Sequence, residues 1–175
     1  HHSFNASPST PDVLISLKHF KEFEIDPISN VGTFGAGYTV DDINHLLRPK
    51  HLSLPFQLTT PTQNCVGTMC AATHGANNNS ISNHVQSIML TDYDEQGKVR
   101  TRLVAQDVLP IYRCNFGVGG IISQISFKLN KAEFMEQKAS IMTTFRELKA
   151  AMDKRLDSYT ILLPYSWNYV ILKRK

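Results

Sequence analysis

The sequence PTQNCVGTMCAATHG, which occupies residues 61–75, contains no Asp, Glu, Lys or Arg. It is rich in small side chains and carries Gly67 and Gly75, where a ligand or another backbone can come close. Backbone N–H groups in such a segment can hold a phosphate without a basic side chain. A buried connection whose small residues only pack fits the same pattern, so the residues alone leave both interpretations open.

Two further glycine-rich segments lie on either side of residues 61–75. In the upstream one, Gly32 to Gly37, the third glycine of a dinucleotide fingerprint is replaced by Val40, which favours a tight turn. The downstream one runs from Asn115 into a predicted strand, and its glycines allow close approach of a flat ring or a tight turn. Its candidate residues are Gly117, Gly120, Ile121 and Ile122.

The cysteines and the nearby histidine do not form a convincing metal or thiol site. Cys65, Cys70 and His74 are close in sequence, but a structural zinc site needs four ligands and the chain has no second Cys pair. The cysteines have apolar neighbours, which is typical of small core residues. With Cys114 they number three, too few and too scattered for a disulfide framework. We therefore expect no metal and a reducing, cytoplasmic compartment.

Composition indicates a globular chain. Its 175 residues include 42% hydrophobic and 19% charged residues with a net charge of +3, enough for one domain or slightly more. The charge is spread along the chain, which disfavours nucleic-acid binding. No apolar run approaches the roughly 18 residues of a membrane helix. The oligomeric state stays open.

Periodicity predicts an α+β chain rich in strands. Thr39 and two following carboxylates predict the start of a short amphipathic helix, whereas residues 54–79 show no regular period. Ile141, Phe145, Leu148, Met152 and Leu156 recur at helical spacing and predict one long helix. The predicted strands cover residues 13–17, 22–25, 31–34, 87–91, 99–104, 121–129, 159–163 and 167–172.

The glycine-rich segments, in this order and after His1 to Asn5, resemble the FAD-binding domain of the vanillyl-alcohol oxidase (PCMH-type) family. His1 to Asn5 resembles the family's Gly-x-Gly-His-Ser-Phe turn. Residues 63–75 resemble its Gln-x-x-x-Gly segment, which ends in Thr-His-Gly. Residues 117–123 resemble its Gly-x-x-Gly-Val-Ile-Thr strand. Within the family the chain is most similar to the alditol and aldonolactone (gulonolactone, arabinonolactone) oxidases.

The resemblance implies FAD as cofactor, with His2 as the candidate for a covalent bond to the flavin. It places the backbone around Ser3, Phe4 and Asn5 on the pyrophosphate and that of Ile121 and Ile122 at the adenine. The other cofactor-binding residues that it implies are Pro61, Thr62, Gly67, Thr68, Thr73, His74, Gly75, Gly117 and Gly120.

The resemblance also implies a division of the chain and an activity. Residues 1–130 would be the second subdomain of the FAD-binding domain, a mixed or antiparallel sheet flanked by helices whose first subdomain lies upstream. Residues 131–175 would begin an α+β substrate-binding cap domain, with the catalytic residues further on.

The implied reaction oxidises a hydroxyl-bearing carbon of a small-molecule sugar alcohol or aldonolactone, passing a hydride to the flavin and then electrons to oxygen or another acceptor. Leu58 stands where oxygen-using relatives tend to carry a small residue, which leaves the acceptor open. The alternative is a non-catalytic α+β module without bound flavin.

Overall fold

A computed structural model describes residues 12–75, 79–133, 137–152 and 158–174 of the chain. The chain divides into two compact units, His1–Ala132 and Glu133–Lys175. His2, Ser3, Phe4 and Asn5, which the resemblance assigns to the cofactor, lie outside the described residues.

The first unit contains most of the regular structure. Short 3₁₀ turns lie at Arg48–Lys50, Ile81–His84 and Gln106–Val108. In chain order its helices and strands are β1 (Phe23–Asp26), β2 (Val31–Gly35), α1 (Val40–Leu47), β3 (Leu52–Ser53), α2 (Cys65–Cys70), β4 (Val85–Tyr93), β5 (Val99–Ala105), α3 (Leu109–Tyr112), β6 (Ile121–Lys128) and β7 (Asn130–Lys131).

Five of these strands form one sheet in the order β1-β2-β6-β4-β5, with every neighbouring pair antiparallel. Ile125 in the central strand β6 lies opposite Phe34 of β2 on one side and Ile88 of β4 on the other. The strands β3 and β7 form a separate two-stranded ladder. The predicted α+β fold with an antiparallel sheet and flanking helices is confirmed.

The core lies on one face of this sheet, where α1 and α2 cover it. Side chains from the sheet pack with side chains from both helices because successive residues of a strand face opposite sides and only one side is apolar. Burying each of these large side chains contributes about 1.5–3 kcal/mol. The fully buried members include Phe34, Ile43, Leu47, Met69, Ile88, Leu90, Ile125 and Phe127.

The predicted start of α1 is confirmed as a capping box. Thr39 Oγ1 accepts from the backbone N–H of Asp42 at 3.0 Å, and Asp42 Oδ2 accepts from the backbone N–H of Thr39 at 3.0 Å. Lys21 pairs with the same carboxylate at 3.2 Å. The Thr39 backbone N–H, together with Lys21, lowers the pKa of Asp42.

The predicted strand at residues 13–17 is wrong. The structure gives these residues no strand, and Val13 and Leu14 are 77% and 72% exposed. Apolar β-formers favour a strand only where another strand offers hydrogen bonds. Leu17 alone packs partly against the core.

The second unit contains β8 (Gln137–Met142), α4 (Phe145–Met152), β9 (Ser158–Leu163) and β10 (Asn168–Arg174). The strands form an antiparallel sheet in the order β8-β10-β9. The two predicted strands at residues 159–163 and 167–172 are confirmed, and their ends differ from the observed ones by at most two residues.

The predicted helix from Ile141 is wrong at its start, because Ile141 lies in β8 opposite Val170. The helix begins only after Thr144, whose Oγ1 accepts from the Glu147 N–H at 3.2 Å. Glu147 Oε2 in turn accepts from the N–H groups of Thr143 and Thr144 at 3.0 and 3.2 Å. This reciprocal cap fixes the boundary. The predicted helical residue Leu156 lies outside the described residues.

Candidate functional site

The segment at residues 61–75 is more ordered than its sequence indicates, because it contains the helix α2. Asn64 is the N-cap, and its Oδ1 accepts from the Gly67 N–H at 3.0 Å. Cys65 and Met69 are fully buried on the inner face of α2. The signal for this helix was present in an N-cap residue followed by apolar residues at spacings of three and four.

A groove of about 230 Å³ lies beside α2 at the start of β6. A hydrogen bond from the Phe116 N–H to the Cys70 carbonyl, at 3.1 Å, joins the segment that precedes β6 to the end of α2. The structure therefore brings residues 61–75 together with the glycine-rich segment that begins at Asn115. The groove is lined by Ile15, Leu17, Val66, Cys70, Gly117, Gly120, Ile121 and Ile122.

The lining of this groove is apolar and carries no charged side chain. Ile121 is 37% exposed, whereas Ile122 is buried, so the wall is a fixed strand with one side chain standing at its rim. Neutral, rigid apolar walls favour a flat ring system and offer nothing to a charged group. This apolar lining therefore suits the ring portions of FAD and not its phosphates.

The glycines of the two segments fall into two kinds. A Cβ added at Gly67 or Gly117 would meet nothing closer than 3.7 Å, so both leave open space above the backbone. At Gly75 an added Cβ would overlap the Gln57 carbonyl, and at Gly120, with φ +125°, it would lie 2.6 Å from the Thr91 carbonyl oxygen. Gly75 and Gly120 are therefore required by packing, whereas the space above Gly67 and Gly117 is open, although the φ of +83° at Gly117 still favours glycine there.

Many backbone N–H groups near the groove already have partners within the protein. Those of Gly67 and Thr68 donate to Asn64, and that of Thr73 donates to the Thr68 carbonyl at 2.9 Å. The Gly117 N–H donates to Asn115 Oδ1 at 2.8 Å. These N–H groups stabilise the segments and are not available for a pyrophosphate.

The remaining predicted cofactor residues lie outside the groove lining. The Pro61 carbonyl accepts from the Asp41 N–H at 2.8 Å, at the N-terminal end of α1. The Thr68 hydroxyl is buried and donates to the Cys65 carbonyl at 2.6 Å. Residues 73–75 follow α2, and Gly75 lies against the backbone of Gln57 and Leu58. The predicted cofactor residues that lie outside the groove lining are Pro61, Thr62, Gly67, Thr68, Thr73, His74 and Gly75.

The two buried thiols are poorly suited to nucleophilic or metal chemistry. Burial raises the pKa of Cys65 to about 12 and that of Cys70 to about 11. Both thiols therefore stay protonated at neutral pH. Among the residues that the structure describes, no group of three or more His, Cys, Asp or Glu side chains is placed to hold a metal.

The fold and the groove together are those of a cofactor-binding domain. It has an antiparallel sheet, helices on one face and the apolar groove between α2 and β6. Residues 1–102 match the family described as "FAD binding domain". The chain belongs to this family, and its cofactor is FAD.

Similar proteins come from comparisons of sequence and of structure. A long-chain alcohol oxidase from an uncultured marine euryarchaeote is 25% identical over 181 residues, covering 99% of this chain and 37% of that protein. A mutant of cholesterol oxidase from Brevibacterium sterolicum superimposes with a TM-score of 0.75 at 14% identity, covering 91% of this chain and 35% of that one. An alkyldihydroxyacetonephosphate synthase gives a TM-score of 0.64 at 14% identity, covering 78% and 26%.

The structural neighbours thus share the fold, and the chain spans about a third of the length of the proteins it matches. Within the described residues, no helix has both the length and the apolar character needed to cross a membrane.

Proposed function

We propose that this chain forms part of the FAD site of an oxidoreductase that oxidises a hydroxyl-bearing carbon. The observation that carries the proposal is the apolar groove between α2 and β6 in a chain of the FAD-binding family. FAD, when bound, supplies the hydride acceptor, and the protein supplies placement and electrostatics.

In this proposal the groove residues hold a flat ring of the cofactor. Val66 and Cys70 of α2 form one wall, and residues 120–122 form the other. Their role is to fix the ring by van der Waals contact and to exclude water from it. The open space above Gly117, which lines the groove, gives the ring room to approach. A covalent bond to the flavin at His2 remains part of the proposal.

The proposed substrate is a small molecule with an oxidisable alcohol. The names of two similar proteins, a long-chain alcohol oxidase and a cholesterol oxidase, support an alcohol carbon as the site of reaction. A sugar alcohol or aldonolactone is supported by the resemblance of the ordered sequence motifs. Oxygen and a separate electron carrier are both retained as acceptors, with Leu58 as the residue that bears on the choice.

The experiment is anaerobic mixing of the flavin-loaded protein with a polyol, an aldonolactone and a long-chain primary alcohol in turn. Flavin absorbance at about 450 nm should be lost with one of these classes, and admission of air should restore it if oxygen is the acceptor. The protein is tested together with any flanking domains that its gene encodes, and loss of absorbance with dithionite but with none of the three classes would then contradict the proposed reaction.

A further inference from the structure

Asn64 occupies an unusual place, because its side chain joins three separate backbone groups. Its amide nitrogen donates to the Ala36 carbonyl at 2.6 Å and to the Tyr38 carbonyl at 3.3 Å. Its oxygen accepts from the Gly67 N–H at 3.0 Å. A single uncharged side chain therefore caps α2 and ties it to the turn between β2 and α1.

Ala36 continues this connection to the opposite wall of the groove. The Ala36 N–H donates to the Ser123 carbonyl at 2.8 Å, directly after Ile121 and Ile122 in β6. The Ala36 carbonyl accepts from Asn64. The N–H of Ala36 thus bonds to β6 and its carbonyl bonds to the Asn64 side chain at the start of α2. Through Asn64, the two walls of the groove are linked.

Backbone hydrogen bonds reinforce the same attachment. The Cys65 N–H donates to the Tyr38 carbonyl at 3.1 Å, and the Val40 N–H donates to the Gln63 carbonyl at 3.0 Å. They hold residues 63–65 beside residues 38–40 but make no contact with Ala36. The Asn64 side chain supplies the link that reaches the Ala36 carbonyl.

From this geometry we infer that Asn64 is a positioning residue for FAD, setting the spacing of the two groove walls without touching the cofactor. The inference rests on the proposed placement of FAD between α2 and β6. The polar groups of the Asn64 side chain are used within the protein, so its effect on the cofactor is transmitted through α2. No acid, base or charged group is involved.

The test separates capping from positioning with two variants. Asn64→Asp and Asn64→Ser both keep an oxygen that can cap α2, since Asp and Ser are favoured N-cap residues. Both lose the amide donor to Ala36. We expect each to raise the dissociation constant for FAD about three- to tenfold, the usual effect of one hydrogen bond. The unfolding midpoint without FAD should fall by only about 2–4 °C.

Three measurements give the readout: fluorescence titration with FAD, thermal unfolding of the FAD-free chain, and visible circular dichroism of the bound flavin. A positioning role predicts weaker binding and a changed dichroism spectrum. At lower pH the carboxyl of the Asn64→Asp variant becomes protonated and regains a donor, so its FAD affinity should recover towards that of the wild type. The Asn64→Ser variant should show no such recovery.

The control is Asn44→Asp, which adds the same charge on the exposed side of α1. It should leave FAD affinity and the dichroism spectrum unchanged. Wild-type affinity in both Asn64 variants, with only a lower unfolding midpoint, would show that Asn64 merely stabilises α2 and would overturn the inference. If Asn64→Asp does not fold, the Asn64→Ser variant decides. If the wild-type protein, tested with any flanking domains that its gene encodes, does not bind FAD, the proposed function is rejected instead.

Discussion

Replacing Gly67 by alanine should separate the stability of α2 from its role in binding FAD. The new Cβ would lie 3.7 Å from Asn64 Oδ1, an ordinary van der Waals contact, so it creates no clash within the protein. Glycine inside a helix is destabilising by about 0.5–1 kcal/mol relative to alanine. We therefore expect the Gly67→Ala chain without FAD to be more stable by about that amount, a rise of about 1–4 °C in the unfolding midpoint.

The same substitution should weaken FAD binding. Gly67 lies on the exposed side of α2, outside the groove lining but directly after the wall residue Val66, so a methyl group there would narrow the approach to the groove that the proposal assigns to FAD. A loss of about 1 kcal/mol in binding free energy corresponds to about a fivefold rise in the dissociation constant for FAD. Quenching of flavin fluorescence measures this constant. The matched control is Gly97→Ala in the turn between β4 and β5, where φ is +76° and nothing lies within 4 Å. This control should lose about 1–2 kcal/mol of stability and keep its FAD affinity. Wild-type affinity in Gly67→Ala would refute an approach of FAD to the groove across this side of α2.

Three further predictions concern local interactions. Thr39→Ala removes the N-cap of α1 and should lower the free energy of unfolding by about 1 kcal/mol in urea titrations, with an unchanged value counting against the capping box. Arg100 and Arg102 lower the pKa of Asp92 to about 2, below the unfolded value of about 3.9, so unfolding free energy should fall as pH drops from about 4 to about 2. Asp92→Asn should flatten this dependence, and an equally steep loss in that variant would contradict the assignment. The exposed thiol of Cys114 should react with a thiol reagent in the native chain, whereas the two buried thiols should react only after unfolding.

Local patterns in the sequence predicted much of the first unit. The strands β4 and β5 around Gly97, and the strand β6, follow from apolar alternation and turn residues. The start of α1 follows from the capping box at Thr39 and Asp42. These features could be predicted because each depends on residues close together in the chain.

Features that depend on distant contacts could not be predicted in this way. The helix α2 is only six residues long and is held partly by the hydrogen bond from Asn64 to Ala36, 28 positions away. The groove adds Ile15 and Leu17, which the sequence placed in a strand, to residues of α2 and β6. Sequence motifs identified the residues at the start of β6, but only the fold shows that they face α2.

The central claim is that α2 and the start of β6 form one FAD site, and amide hydrogen exchange with and without FAD tests it most directly. With FAD bound, exchange should slow in both peptides that cover residues 64–72 and 115–122, while the peptide covering α4 in the second unit should not change. Bound FAD, detected by its absorbance at about 450 nm, with unchanged exchange in either of the first two peptides would contradict the claim.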